Sequence, residues 1–112
     1  MKKKRRKKKY VYCVYVINLE RAVLENKRFI TKNPDFIKGR PCVYVGQTVR
    51  TPQQRFKQHL SGYKASYFAK KFGIALRKNK CEMKLKTRRE AERRERELAA
   101  ELRERGWGVW SN

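Results

Sequence analysis

The run from Tyr10 to Leu19 restricts the fold more than any other part of the chain. Val11, Tyr12, Val14, Tyr15, Val16 and Ile17 are β-branched or aromatic and follow one another without the polar alternation of a half-exposed strand. The pattern predicts a central strand buried on both faces, which needs cover from two sides. A second run, Cys42-Val43-Tyr44-Val45, begins after Gly39 and Pro41 and stops at Gly46. It predicts a second strand that pairs with the first as an antiparallel hairpin. With 112 residues the chain has material for one domain and one modest core.

The remaining segments supply the cover. Glu20 to Arg40 is too long for a tight turn and reads as an insertion in the hairpin, with a short helix around Ala22 to Asn26 and turn signals at Asn33-Pro34-Asp35 and Gly39. Thr51, Pro52 and Gln54 have the form of an N-cap, a first-turn proline and a capping-box partner, so a helix runs from Pro52 to about Leu60 and stops at Gly62. Ala65 to Phe72 is helical in composition, with Gly73 as its stop. Ile74 to Leu76 or Cys81 to Leu85 supplies a third strand. Thr87 to Glu90 is a second capping box, and Gly106 is placed to end a helix of about five turns, after which Val109 and Trp110 fold back as an apolar tail. The expected fold is a small α+β domain over residues 10–112, with a central antiparallel three-stranded sheet flanked by helices.

Charge narrows the partners. Thirty-two Lys and Arg against ten Asp and Glu leave a formal net charge of +22. Eight of the basic residues form the run Lys2 to Lys9, read with Met1 as a disordered arm, but the rest of the chain is basic without it. Polyanions are the natural partner, and nucleic acid, DNA first, is favoured over a membrane surface because no lipidation signal or amphipathic basic helix follows the arm. No segment is long enough to span a bilayer. Asn18, Glu20 and Arg21 interrupt the apolar run too early for a signal peptide. Cys13, Cys42 and Cys81 are widely spaced and include no C-x-x-C pair, which disfavours a zinc site or a disulfide framework and fits a reducing cytoplasm. The corresponding location is the cytoplasm and its nucleoid, or the nucleus in a eukaryote.

Few residues stand out as chemistry. On the last helix, Ala91, Leu98 and Leu102 mark a buried stripe at about 100° per residue, and Glu95 projects from the middle of it. A carboxylate there is costly unless it pairs with an arginine or holds a cation, and one carboxylate plus substrate phosphate is enough for magnesium. Arg55 and His59, four residues apart, share a face of the short helix beside an apolar face of Phe56 and Leu60. Arg suits a phosphoryl oxygen and His suits proton movement near neutral pH, although a lone histidine is more often structural. Tyr15 and Tyr44 lie in the paired strands, where tyrosine usually just packs. Gly46 leaves room for the close approach of a phosphate or another backbone.

Taken in order, these residues resemble the GIY-YIG nuclease superfamily, whose first strand carries G-I-Y, whose second carries Y-I-G, and which continues with Arg, His and Glu. Here the motifs read Cys13-Val14-Tyr15, Tyr44-Val45-Gly46, Arg55-Phe56-Lys57-Gln58-His59 and Glu90-Ala91 followed by Glu95. Cys13 stands where the family has glycine. The resemblance spans Tyr10 to the end of the last helix and implies an endonuclease that hydrolyses phosphodiesters in DNA. It further implies one divalent metal ion, Mg2+ or Mn2+, on Glu95, with Arg55 stabilising phosphoryl charge. Tyr15 or His59 would take part in proton transfer, and Tyr44 would position the water. The asparagine common after the family's metal-binding helix has only Asn112 as a counterpart, and that position is left unassigned. A separate module is expected to supply DNA specificity, since no zinc finger or helix-turn-helix pattern is present.

Two other readings use the same charge. A non-catalytic nucleic-acid-binding protein would pair Glu95 with an arginine and show no metal dependence. A basic accessory protein bound to an acidic partner or to RNA would explain the charge but not the position of Glu95.

Overall fold

In the computed structural model, which describes residues 11–111, β1 (Tyr12–Leu19) lies at the centre of a five-stranded sheet. The basic arm, Tyr10 and Asn112 lie outside the described residues. One edge of β1 pairs antiparallel with β2 (Cys42–Thr48), in a register that sets Tyr15 opposite Gly46 and Ile17 opposite Tyr44. The strand thus continues past Gly46, where the glycine had suggested an end, because the β1 ladder offers partners as far as Cys13 opposite Thr48.

The other edge of β1 is shared by two short strands. β3 (Gly73–Leu76) pairs with Ile17 to Leu19, and β4 (Glu82–Leu85) pairs with Tyr12 and Val14. Both candidate third strands therefore form. Between them the backbone of Val16 is satisfied locally, its carbonyl accepting from the Arg77 amide at 2.8 Å and its amide donating to the Cys81 sulfur at 3.4 Å. β5 (Gly108–Ser111), the anticipated apolar tail, pairs parallel with β2, so the sheet is mixed and wider than the three antiparallel strands expected. Its signal is four residues long, too short to separate a strand from a tail.

Alternation along β1 and β2 divides the core into two layers. Val14, Val16, Val43 and Val45 face α4 (Arg88–Glu104), packing with Leu98, Ala99, Leu102, Trp107 and Val109. Tyr15, Ile17, Leu19, Cys42 and Tyr44 face the other way, against Val23, Phe29, Phe68, Ala69 and Phe72. Each fully buried Val, Ile, Leu or Phe side chain contributes roughly 1.5–3 kcal/mol, so both layers are needed to hold β1.

Two short helices flank the second layer. α2 (Pro52–Ser61) starts on a complete Thr51–Gln54 capping box and ends on Gly62 at φ 89°. α3 (Tyr67–Phe72) gives way to Gly73, which has extended geometry and opens β3 instead of forming a left-handed cap. At α4 the Thr87 hydroxyl accepts from the Glu90 amide, but the Glu90 carboxylate reaches back to the Lys86 amide, one residue short of a full box. Arg94 joins α4 to β4 through two 2.7 Å bonds to Glu82.

Residues 20–40 hold a 3-10 helix at Arg21–Glu25, near the expected position, and a further helix α1 (Lys27–Lys32), which the sequence reading did not include. The Asn26 side chain caps α1 by accepting from the amides of Arg28 and Phe29. Asn33, taken from the sequence as a turn residue, is buried. Its amide donates to the carbonyls of Phe29 and Val109, and its oxygen accepts from the Val109 amide at 2.8 Å.

Candidate nuclease site

The Tyr15 hydroxyl and His59 Nε2 lie 2.7 Å apart, across 44 positions of sequence. The contact follows from three local choices. Tyr15 points to the α2 layer because its neighbours Val14 and Val16 point to α4. Its phenol lies over Gly46, where any Cβ would collide with the hydroxyl and the ring. His59, seven positions along α2 from Pro52, is fully buried above it.

Tyr44 completes an aromatic group, its ring 6.0 Å from that of Tyr15 and edge-on to His59 at 5.2 Å. Arg55 adjoins them from the preceding turn of α2. Its guanidinium donates to Gln58 Oε1 at 3.1 Å, to the Tyr63 carbonyl at 3.2 Å and to the Lys64 carbonyl at 2.8 Å. Tyr44 and Arg55 both act electrostatically on the Tyr15 hydroxyl. The loop that receives Arg55 is bent sharply, with Lys64 at φ 42°, a conformation that costs a non-glycine residue on the order of 1 kcal/mol. Leu60, expected on the apolar face of α2, is 47% exposed, and His59 takes the buried place beside half-buried Phe56.

Electrostatics follow from burial. Desolvation pushes the Tyr15 phenol well above its ordinary value, Tyr44 adds to the rise, and Arg55 opposes it. Burial first, and then the positive charge of Arg55 acting in the same direction, lower His59 to about 4. The imidazole is therefore neutral at pH 7.

Glu95 is placed differently. It lies on the buried stripe of α4, as its spacing predicted, among Ala91, Leu98, Ala99 and Leu102. Its layer faces the valine side of the sheet, whereas Tyr15, Tyr44, Gly46, Arg55 and His59 meet on the other side. Both α2 and α4 start from the same end of the sheet, where Cys13 pairs with Thr48 and Tyr12 with Leu85. Glu95 is 7% exposed, and among the described residues it forms no ion pair; the pairs of α4 use Glu92, Glu97 and Glu82. Burial raises its carboxyl to about 7, Glu92 adds to the rise and Arg96 opposes it. A near-buried carboxylate that forms no ion pair among the described residues fits the role of a single protein ligand to a hard cation completed by water and phosphate. Among the described residues no cluster of three or more His, Cys, Asp or Glu could bind a metal without such help.

The model of the GIY-YIG catalytic domain matches residues 8–107. The chain belongs to the GIY-YIG family. No curated protein and no solved structure matches it. Membership places the chain among nucleases, whose family acts on nucleic acid. Cys13, which the sequence reading set where the first motif has glycine, is buried in β1, and its thiol donates to the Arg50 carbonyl at 3.2 Å. One contact of the candidate site was invisible to sequence reasoning. The Ser66 backbone amide donates to His59 Nδ1 at 3.1 Å, and a main-chain donor leaves no residue-type signal.

Proposed function

We propose that this GIY-YIG domain is an endonuclease that hydrolyses phosphodiester bonds in DNA with one divalent metal ion, Mg2+ or Mn2+, held by Glu95. The observation that carries the reading is the 2.7 Å contact between Tyr15 and His59 over Gly46, with Tyr44 and Arg55 at the same hydroxyl. Cleavage requires an activated water, compensation of charge on the phosphoryl oxygens and help for the leaving oxygen.

Arg55 supplies permanent positive charge, and its loop contacts leave guanidinium N–H groups for a phosphoryl oxygen. Tyr15 and Tyr44, both buried, supply the phenols that hold and orient a water beside that phosphorus, and the rings around them keep bulk solvent out. When bound, the metal stabilises phosphoryl charge as a Lewis acid and acidifies a water. The basic surface and the Lys2 to Lys9 arm provide sequence-independent affinity, which calls for a separate module for specificity.

The test is cleavage of labelled duplex, branched and single-stranded DNA with magnesium, manganese or chelator, by wild type and Glu95→Ala. Metal-dependent products missing from the variant support the reading. Tight binding of every substrate with no product under either metal supports a non-catalytic binding protein instead.

A further inference from the structure

We propose that the Ser66 amide fixes His59 as a neutral imidazole with its hydrogen on Nε2, so that His59 serves as a permanent hydrogen-bond donor to the Tyr15 oxygen and does not carry a proton. The assignment rests on the identity of the two ring partners. A backbone amide can only donate, so the Ser66 N–H at 3.1 Å requires a lone pair on Nδ1. In a neutral ring the single hydrogen then resides on Nε2, which faces the Tyr15 oxygen at 2.7 Å. The alternative tautomer would point two N–H groups at each other at Ser66, and so would the imidazolium. Both nitrogens are engaged, so a flipped ring would lose both bonds.

The surroundings reinforce this state. Tyr15 from β1 and Tyr44 from β2 pack against the ring, Arg55 adds positive charge from the same helix, and Ser66 comes from the loop before α3. Nothing in that set stabilises a second proton on His59. The consequence for Tyr15 is directional: its oxygen receives hydrogen bonds from Nε2–H and has Arg55 beside it, so its own hydroxyl hydrogen is directed away from His59. His59 and the Ser66 amide are positioning groups that act through Tyr15. The role deepens the nuclease reading and rests on it for its place in catalysis, while the tautomer itself stands on geometry alone.

His59 is the only histidine in the chain, so ring-nitrogen NMR of uniformly 15N-labelled protein reads it without ambiguity and without substrate. One protonated Nε2 and one unprotonated Nδ1, unchanged as pH falls through the ordinary histidine value of 6.5, are the expected result. A hydrogen on Nδ1, a mixture of tautomers, or titration near 6.5 overturns the proposal. Ser66→Pro deletes the amide at a position whose φ of −68° suits proline, and is expected to abolish the tautomer preference, whereas Ser66→Ala retains it. An unchanged spectrum in folded Ser66→Pro removes Ser66 from the assignment; should that variant not fold, the wild-type spectrum decides.

Cleavage gives an independent reading. The carboxamide of His59→Gln keeps an N–H donor and an acceptor but no titratable proton, so activity should stay within about tenfold of wild type, while His59→Ala loses more than about 100-fold. Equal losses in both variants overturn the donor-only role. If the wild type cuts nothing, the nuclease reading fails and the NMR result still decides the tautomer.

Discussion

Tyr15 lies across its cross-strand partner Gly46, and the phenol occupies the space a side chain at position 46 would need. The two strands are therefore coupled sterically: Gly46 of β2 holds open the space that Tyr15 of β1 occupies. Gly46→Ala is expected to destabilise the domain by about 1–3 kcal/mol in urea unfolding, the usual range for overpacking, and to lower cleavage by displacing the hydroxyl from His59. Wild-type stability in Gly46→Ala would show that Tyr15 does not rest there in solution.

Asn33 makes three hydrogen bonds, and two of them, to the backbone of Val109, tie residues 20–40 to the last strand. Asn33→Ala removes the partner of the buried Val109 amide, while the Val109 carbonyl keeps its bond from Arg103 Nη2 at 3.0 Å, and should cost about 1–3 kcal/mol for such a group. The same unfolding measurement checks it. A loss under about 0.5 kcal/mol, as at an unconstrained surface position, would mean that the segment is not part of the cooperative core.

The pH dependence of stability carries the signature of His59. Its folded value is lowered from 6.5 to about 4, so in the window between them the unfolded chain binds a proton that the folded chain refuses. The stabilisation is complete above 6.5 and is lost as pH falls towards 4. Carboxylates titrate in the same range, so the comparison is between wild type and His59→Gln, and the wild type should lose more stability from pH 7 to pH 4.5. Parallel curves would contradict a buried neutral imidazole.

Glu95 differs from the other acids of α4 in being buried, 7% exposed, while forming no ion pair among the described residues. Glu95→Gln preserves its shape and removes the charge, so stability at pH 8 without metal should equal or exceed that of the wild type. Mg2+ or Mn2+ should raise the melting temperature of the wild type and not of the variant, because only a ligand bound to the folded state stabilises it. A clear loss of stability in Glu95→Gln would indicate that the carboxylate is paired within the protein.

What the sequence disclosed depended on whether each signal was local. The continuous apolar run of β1, the cap at Thr51 and the stripe around Glu95 are local patterns, and each marks its element within a residue or two. The parallel pairing of β5 with β2 and the burial of Asn33 depend on contacts 60 or more positions apart, which periodicity does not register. The site divides in the same way. Arg55 and His59 could be placed on one face of α2 by spacing, and Tyr15 and Tyr44 on facing strands by order. The layer that separates Glu95 from them, and the main-chain donor at Ser66, appear only when the sheet and its loops are assembled.

The most direct measurement is hydrolysis of end-labelled DNA by wild type, Tyr44→Phe and Glu95→Gln, with binding followed in parallel at fixed salt. Cleavage that needs Mg2+ or Mn2+ in the wild type, falling at least about 100-fold in both variants while DNA affinity is retained, is the expected result. Wild-type protein that binds DNA yet yields no product with either metal, or variants that cut as fast as the wild type, would contradict a nuclease site built from these residues.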